Sequence, residues 1–214
     1  MPNESLMSTR ARIILAVAVL LTASAFFFPL WNVYLGAPQY PEGLGMRIWV
    51  NRITGIKPND LDSINNLNHY IGMKRIVPES IPELRFMPFA LGALVLCGLA
   101  AAWTGRRALV KAWVAAFLAL ACAGLVDFWR WEYDYGHDLD MENAIIKVPG
   151  MNYQPPLLGS RQLLNFRATS LPGIGSFALV AALGLGVYAL LIDRHRSRVA
   201  VGAPANVRDP ALVA

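Results

Sequence analysis

The sequence has little charge and few residues with metal or redox chemistry. Only 15% of its 214 residues are Asp, Glu, Lys or Arg, whereas globular proteins usually contain about 25%. It has three histidines and two cysteines. Cys97 and Cys122 form no C-x-x-C pair, which excludes a thioredoxin-like motif and a cysteine zinc site. We expect both cysteines to act as small apolar packing residues.

Hydrophobic residues make up 56% of the chain and are gathered into four blocks. Each block approaches or exceeds the roughly 20 residues that a helix needs to cross the hydrocarbon core. Backbone groups in lipid must find hydrogen-bond partners within the segment, so each block is predicted to be a helix. The predicted spans are 13–35, 86–105, 108–127 and 170–192, with a short link at 106–111. The sequence therefore predicts an all-α membrane protein with four transmembrane helices.

The basic residues predict how these helices are oriented. With four spans, all the basic clusters fall on one side, which the positive-inside rule makes cytoplasmic. The clusters are Arg10 and Arg12; Arg106, Arg107 and Lys111; and Arg194, Arg196 and Arg198. We expect a multi-pass protein of the bacterial inner membrane with a cytoplasmic N-terminus (1–12) and a cytoplasmic, disordered tail (193–214). The net charge of +5 comes from these flanks, so the lipid bilayer is an expected partner and nucleic acid is not.

The first block allows a second interpretation. Two arginines, an apolar run and Ala23-Ser24-Ala25 also match a secretory signal peptide, whose cleavage would leave Phe26 as the mature N-terminus. The apolar run continues past this site, which favours retention as a helix. Both interpretations place the long connecting segments on the outer side.

The outer segments, 36–85 and 128–169, are expected to form a small folded periplasmic cap. Residues 46–53 alternate between apolar and polar, as a short strand does. Asp60 is predicted to cap an amphipathic helix of about three turns that ends near Gly72. The aromatic residues at the start of the second segment indicate an interfacial belt or a helix that extends beyond the membrane. Aromatic content this high argues against disorder.

Histidine and methionine recur at one spacing in both outer segments, and side chains four residues apart on a helix share a face. Imidazole and thioether ligands suit Cu(I), and an oxidising compartment disfavours free thiols as ligands. The sequence therefore predicts a copper site assembled from both segments. Its predicted ligands are His69, Met73, His137 and Met141, with Met46 and Met151 as reserves.

Three alternatives compete with a copper site. Each His–Met pair alone is also typical of a packed or hydrogen-bonded histidine beside a core methionine. The carboxylates near His137 would suit a harder ion; they are Asp134, Asp138, Asp140 and Glu142. The Trp- and Tyr-rich segments also suit the docking surface of an accessory or scaffold subunit without metal. No catalytic motif is recognisable, which disfavours an enzyme.

Four motifs resemble those of a family of small bacterial membrane proteins that occur beside copper-handling and nitrous-oxide-reductase maturation genes. They are APQYPEGLGM, NLNHYIGM, WEYDYGH and KVPGMNYQPPLLG. The resemblance covers most of residues 13–192 and implies a link to copper or respiratory-enzyme maturation. The favoured hypothesis is an inner-membrane accessory protein that binds copper, as Cu(I), at a periplasmic His/Met site and passes it to or from a protein partner.

Overall fold

A computed structural model describes the backbone of residues 6–202 and the side chains of residues 6–193. Within these residues the chain forms five α-helices and one five-stranded antiparallel sheet. The helices are α1 (Thr9–Ser24), α2 (Asp60–Tyr70), α3 (Glu83–Thr104), α4 (Arg107–His137) and α5 (Ile174–Gly202). The strands are β1 (Trp31–Ala37), β2 (Tyr40–Ile48), β3 (Ile53–Gly55), β4 (Gly159–Leu163) and β5 (Phe166–Pro172).

The prediction of an all-α protein with four transmembrane helices is wrong. The fold is α/β, and three helices of the described residues are long and apolar enough to cross a membrane: α3, α4, and α5 as far as Asp193. The predicted span 13–35 divides, because α1 ends at Ser24 and β1 begins at Trp31. Pro29 lies between them and has no N–H to continue a helix. The 16 residues of α1 extend roughly 24 Å, short of the hydrocarbon thickness of about 30 Å.

Strand β1 explains why the apolar run continues beyond α1. Side chains of a strand alternate between two faces. Val33 is buried on one face of β1, while Tyr34 is exposed on the other. A helix followed by a half-buried strand therefore has the same composition as one longer apolar helix.

Both outer segments contribute strands to the same sheet, in the order β3-β2-β1-β5-β4. The strand predicted at 46–53 corresponds to the end of β2 and to β3, joined by a turn in which the Trp49 amide donates to the Arg52 carbonyl at 2.8 Å. Strands β4 and β5 form a hairpin that sequence reasoning missed. The fourth predicted span begins inside β5, and its helix begins only at Ile174.

The junction between sheet and helices is centred on Leu30. Its carbonyl accepts from the Gly173 amide at 2.7 Å and from the Ser176 hydroxyl at 2.6 Å. The Trp31 indole N–H donates to the Ser170 hydroxyl at 2.7 Å. These bonds join the start of β1 to the end of β5, and so hold the end of α1 near the start of α5.

Below the sheet, Trp113 of α4 anchors the helix bundle. Its indole N–H donates to the Leu94 carbonyl of α3 at 2.8 Å. A Cβ at Gly98 would lie 2.6 Å from its Nε1, and one at Gly186 would lie 2.6 Å from its Cζ3. Glycines on two neighbouring helices thus make room for the ring, as small residues do where membrane helices pack closely.

The end of the bundle away from the sheet is basic. Arg12 of α1 donates from Nε to the Ala102 carbonyl at 2.8 Å, and Arg107 lies 3.5 Å from the Asp193 carboxylate. The tail predicted to be disordered is helical in α5 as far as Gly202. Residues 203–214 of that tail and residues 1–5 of the predicted N-terminus lie outside the described residues.

We expect the Gly173→Ala substitution to destabilise the fold, because a Cβ there would lie 2.2 Å from the Pro29 carbonyl oxygen. Overpacking of this kind costs about 1–3 kcal/mol. Thermal unfolding in detergent measures the loss. The matched control is Gly184→Ala, whose Cβ meets nothing within 4 Å. Equal melting temperatures of the two variants would contradict this account of the junction.

Candidate functional site

Helix α2 of the first outer segment is confirmed, but Asp60 does not cap it. The N-cap is Asn59, at φ 67°, and its side chain makes no capping bond. Asp60 is buried, and its Oδ2 accepts from the backbone amides of Gly45 and Lys57, each at 3.1 Å. The carboxylate therefore fastens the start of α2 to β2.

Two buried asparagines of α2 hold the chain that returns from it. Asn65 Nδ2 donates to the Ile76 carbonyl at 3.0 Å, and its Oδ1 accepts from the Ile76 amide at 2.7 Å. Asn68 Nδ2 donates to the Lys74 carbonyl at 3.2 Å. The side-chain amides thus take the place of a strand partner for residues 74–76. Their signal in the sequence was two asparagines, three residues apart, between the apolar positions of an amphipathic helix.

His69 and Met73 do not lie on one continuous helix. Helix α2 ends at Tyr70, and Gly72 adopts φ +77°. His69 is exposed, whereas Met73 is partly buried and packs with the cluster that contains Ile71. The shared helical face that motivated this pair is absent.

His137 and Met141 are separated by a helix end in the same way. His137 is the last residue of α4, and Met141 follows in a turn, 38% exposed. The His137 ring stacks on Tyr133 with centroids 4.0 Å apart, and its Nδ1 lies 3.0 Å from the Tyr133 carbonyl. That contact orients the imidazole with Nε2 away from the helix backbone.

The structure brings the two outer segments together beside these pairs. The Asp140 amide donates to the Gly72 carbonyl at 2.8 Å, and the Ile146 amide donates to the Tyr70 carbonyl at 2.8 Å. Lys74 and Asp138 form an ion pair. The segments carrying the two His–Met pairs are therefore neighbours.

The remaining candidate ligands have other contacts. Met46 lies on β2 and Met151 packs in the same cluster as Met73. The Asn143 side chain and backbone amide hydrogen-bond to the Asp140 carboxylate and lower its pKa. In the part of the chain that the structure describes, no three His, Cys, Asp or Glu side chains are arranged to hold a metal ion.

An apolar cavity of about 540 Å³ lies between the sheet and the helix bundle. Its upper wall is the inner face of the sheet, with Val33 and Ile53, and Ile64 of α2 closes one side. Its lower wall reaches between the helices of the bundle to Phe117 of α4 and Leu183 of α5. Small-molecule pockets usually have volumes of about 300–1,000 Å³ and are mostly apolar.

A few polar groups converge on this cavity. Glu132 is 5% exposed, and neither of its carboxyl oxygens has a hydrogen-bond partner among the described residues. Glu83 and Asp127 also line the cavity, with Glu83 Oε2 buried and unpaired within the same residues. Asp127 is partly buried. Sequence reasoning did not single out Glu132, whose signal was a carboxylate inside an aromatic stretch of α4.

Comparison of the sequence with known protein families and with curated proteins gave no match.

We expect Asn65→Ala to destabilise the folded outer segment 36–85, because the Ile76 amide and carbonyl would lose their partner in a buried position. Unsatisfied buried groups cost about 1–3 kcal/mol each. Amide hydrogen exchange of residues 74–76 and thermal unfolding measure the effect. Asn66→Ala, at the exposed neighbouring position, should leave both unchanged. Similar exchange rates in the two variants would contradict this role.

Proposed function

We propose that this protein binds an apolar molecule of the lipid phase in the cavity between its sheet and its membrane helices. The cavity itself is the observation that carries the proposal: about 540 Å³, lined almost wholly by apolar side chains from both layers. A lining of this kind favours the transfer of an apolar body out of water. It also lies directly above three helices that are apolar enough to cross a membrane.

The position of the cavity supports a ligand that arrives through the bilayer. Val33 and Ile53 of the sheet and Leu183 of α5 line the same space, so one molecule can contact both layers. The interior of the bundle on this side is formed by α3, α4 and α5. Phe89 of α3 is exposed on the outer surface, and Phe177 of α5 is both exposed and part of the cavity lining. An apolar molecule dissolved in lipid therefore has a short route to the cavity.

We infer that the protein lies in the bacterial inner membrane with its basic end in the cytoplasm and its sheet in the periplasm. Arg12 and Arg107 sit at the end of the bundle away from the sheet, and basic residues are retained on the cytoplasmic side. In this orientation the cavity lies between the periplasmic half of the bilayer and the folded outer segments.

We expect Gly124→Phe to block the cavity. Gly124 lines it on α4, and a Cβ there would make an ordinary contact, 3.9 Å, with the Met87 methyl group. The protein is reconstituted in phosphatidylcholine nanodiscs and photolabelled with trifluoromethyl-phenyl diazirine, an apolar probe without a polar head. Labelling at Val33 and Ile53, which are buried on the face of the sheet that lines the cavity, should fall severalfold.

The control for this experiment is Gly92→Phe, whose Cβ meets nothing within 4 Å and which lies outside the cavity lining. It should label at Val33 and Ile53 as strongly as the natural sequence does. An absence of label at both residues in the natural sequence would overturn the proposal.

A copper site is the second candidate, favoured by the contact between the two outer segments. The hydrogen bond from the Asp140 amide to the Gly72 carbonyl, at 2.8 Å, places the His69 segment beside the His137 segment. The Nδ1 contact of His137 with a backbone carbonyl is the kind of support that metal-binding histidines have. Cu(I) would be held by the two imidazoles and by Met141, since Met73 packs inward.

Copper binding is tested by titrating the purified protein with Cu(I) in competition with a chelator. The paired substitution His69→Ala with His137→Ala should weaken binding by at least about tenfold, because both nitrogen ligands are lost. His195→Ala, which removes the third histidine of the chain, should have no effect. Unchanged stoichiometry and affinity in the paired variant would exclude this site.

A further inference from the structure

The polar atoms of the cavity indicate which chemical class of ligand it takes. We propose that the occupant is an amphiphile whose head donates hydrogen bonds, a hydroxyl or an amine, and that the Glu132 carboxyl receives that head. This inference rests on the proposed function, since it assigns the polar end of the molecule that fills the apolar cavity.

Glu132 is the residue that carries the argument. A carboxyl group buried without a partner is costly in apolar surroundings, and natural structures leave few such groups unexplained. Both oxygens of Glu132 lack a partner within the described part of the chain, although the residue is only 5% exposed. The group accepts a hydrogen bond in either protonation state. A donor on the ligand therefore finds an acceptor at Glu132 in both states.

The other polar groups of the cavity lining leave few free donors for a ligand head that only accepts hydrogen bonds. Several donors of the lining are already engaged within the protein. The Trp31 indole donates to Ser170 at 2.7 Å, the Asn68 amide to the Lys74 carbonyl at 3.2 Å, and the Tyr135 hydroxyl to the Arg75 carbonyl at 3.1 Å. The Tyr153 hydroxyl is also unpaired among the described residues and can act either way.

The charge of the lining excludes an anionic head. Glu83, Asp127 and Glu132 are its ionisable acids, and no Lys, Arg or His of the described residues lines the cavity. A carboxylate or phosphate head would meet acidic groups without a compensating cation, in surroundings where like charges repel strongly. Neutral and cationic heads avoid this cost.

The test compares photoreactive probes of one chain length and three heads: hexadecanol, hexadecylamine and hexadecanoic acid, each with a mid-chain diazirine. The full-length protein is studied in phosphatidylcholine nanodiscs. Labelling at Val33 and Ile53 is divided by labelling at Phe89, which faces outward from α3 and is 77% exposed. This ratio removes differences in how the probes partition into lipid. The alcohol and the amine should exceed the acid by about tenfold, the effect of one hydrogen bond to a buried acceptor.

Glu132→Leu should reduce this preference severalfold while leaving the apolar labelling in place, because leucine fills similar space without an acceptor and only Glu83 and Asp127 still oppose the anionic head. Glu142→Leu, which removes an exposed carboxylate of the cap, is the matched control and should keep the preference. A cooperative thermal unfolding transition in each variant is the check that both variants fold. Equal ratios for the three heads, or a preference that is undiminished in Glu132→Leu, would overturn this inference alone. An absence of cavity labelling by all probes would instead overturn the proposed function.

Discussion

The antiparallel pairing of β1 with β5 is the constraint on which the rest of this structure depends. Strand β1 follows α1, and β5 leads into α5. The register between the two strands therefore sets where the chain enters the sheet from α1 and where it leaves the sheet into α5. The bond from the Gly173 amide to the Leu30 carbonyl closes this junction at 2.7 Å, and glycine is required there because of the Pro29 carbonyl. The two outer segments, more than 100 residues apart in places, must therefore meet before either has a complete sheet.

The cavity follows from this arrangement. The junction holds the inner face of the sheet over the ends of the helices, while α2 and the asparagine-held return from it close one side. The long α4 rises past the bundle to His137. Stacked aromatic side chains support this extension, with Trp131 and Tyr135 centred 3.8 Å apart. Because of this extension, Glu132 lies beyond the apolar part of α4 and lines the cavity, where its carboxyl group is available to a ligand.

The candidate site shows how far sequence spacing can be interpreted. The recurrence of His-x-x-x-Met located two segments that do come together, but the spacing implied a shared helical face that helix ends at Tyr70 and His137 remove. Asn65, Asn68 and Glu132 were not singled out from the sequence, because a polar residue on a half-apolar helix has the same pattern whether it faces solvent or the protein interior. Only the neighbouring chain distinguishes the two, and that neighbour is distant in sequence.

The sequence by itself determined the elements whose hydrogen bonds are local: α2, with Gly72 just beyond its end, and the apolar helices α3, α4 and α5. The position of basic residues near helix ends was also visible in the sequence, because these residues flank the apolar runs. The sheet, its cavity and the burial of Glu132 were decided by tertiary structure. A strand forms its backbone hydrogen bonds only with another segment of the chain. The apolar run 26–35 therefore cannot show from its own residues whether it continues a helix or pairs with β5.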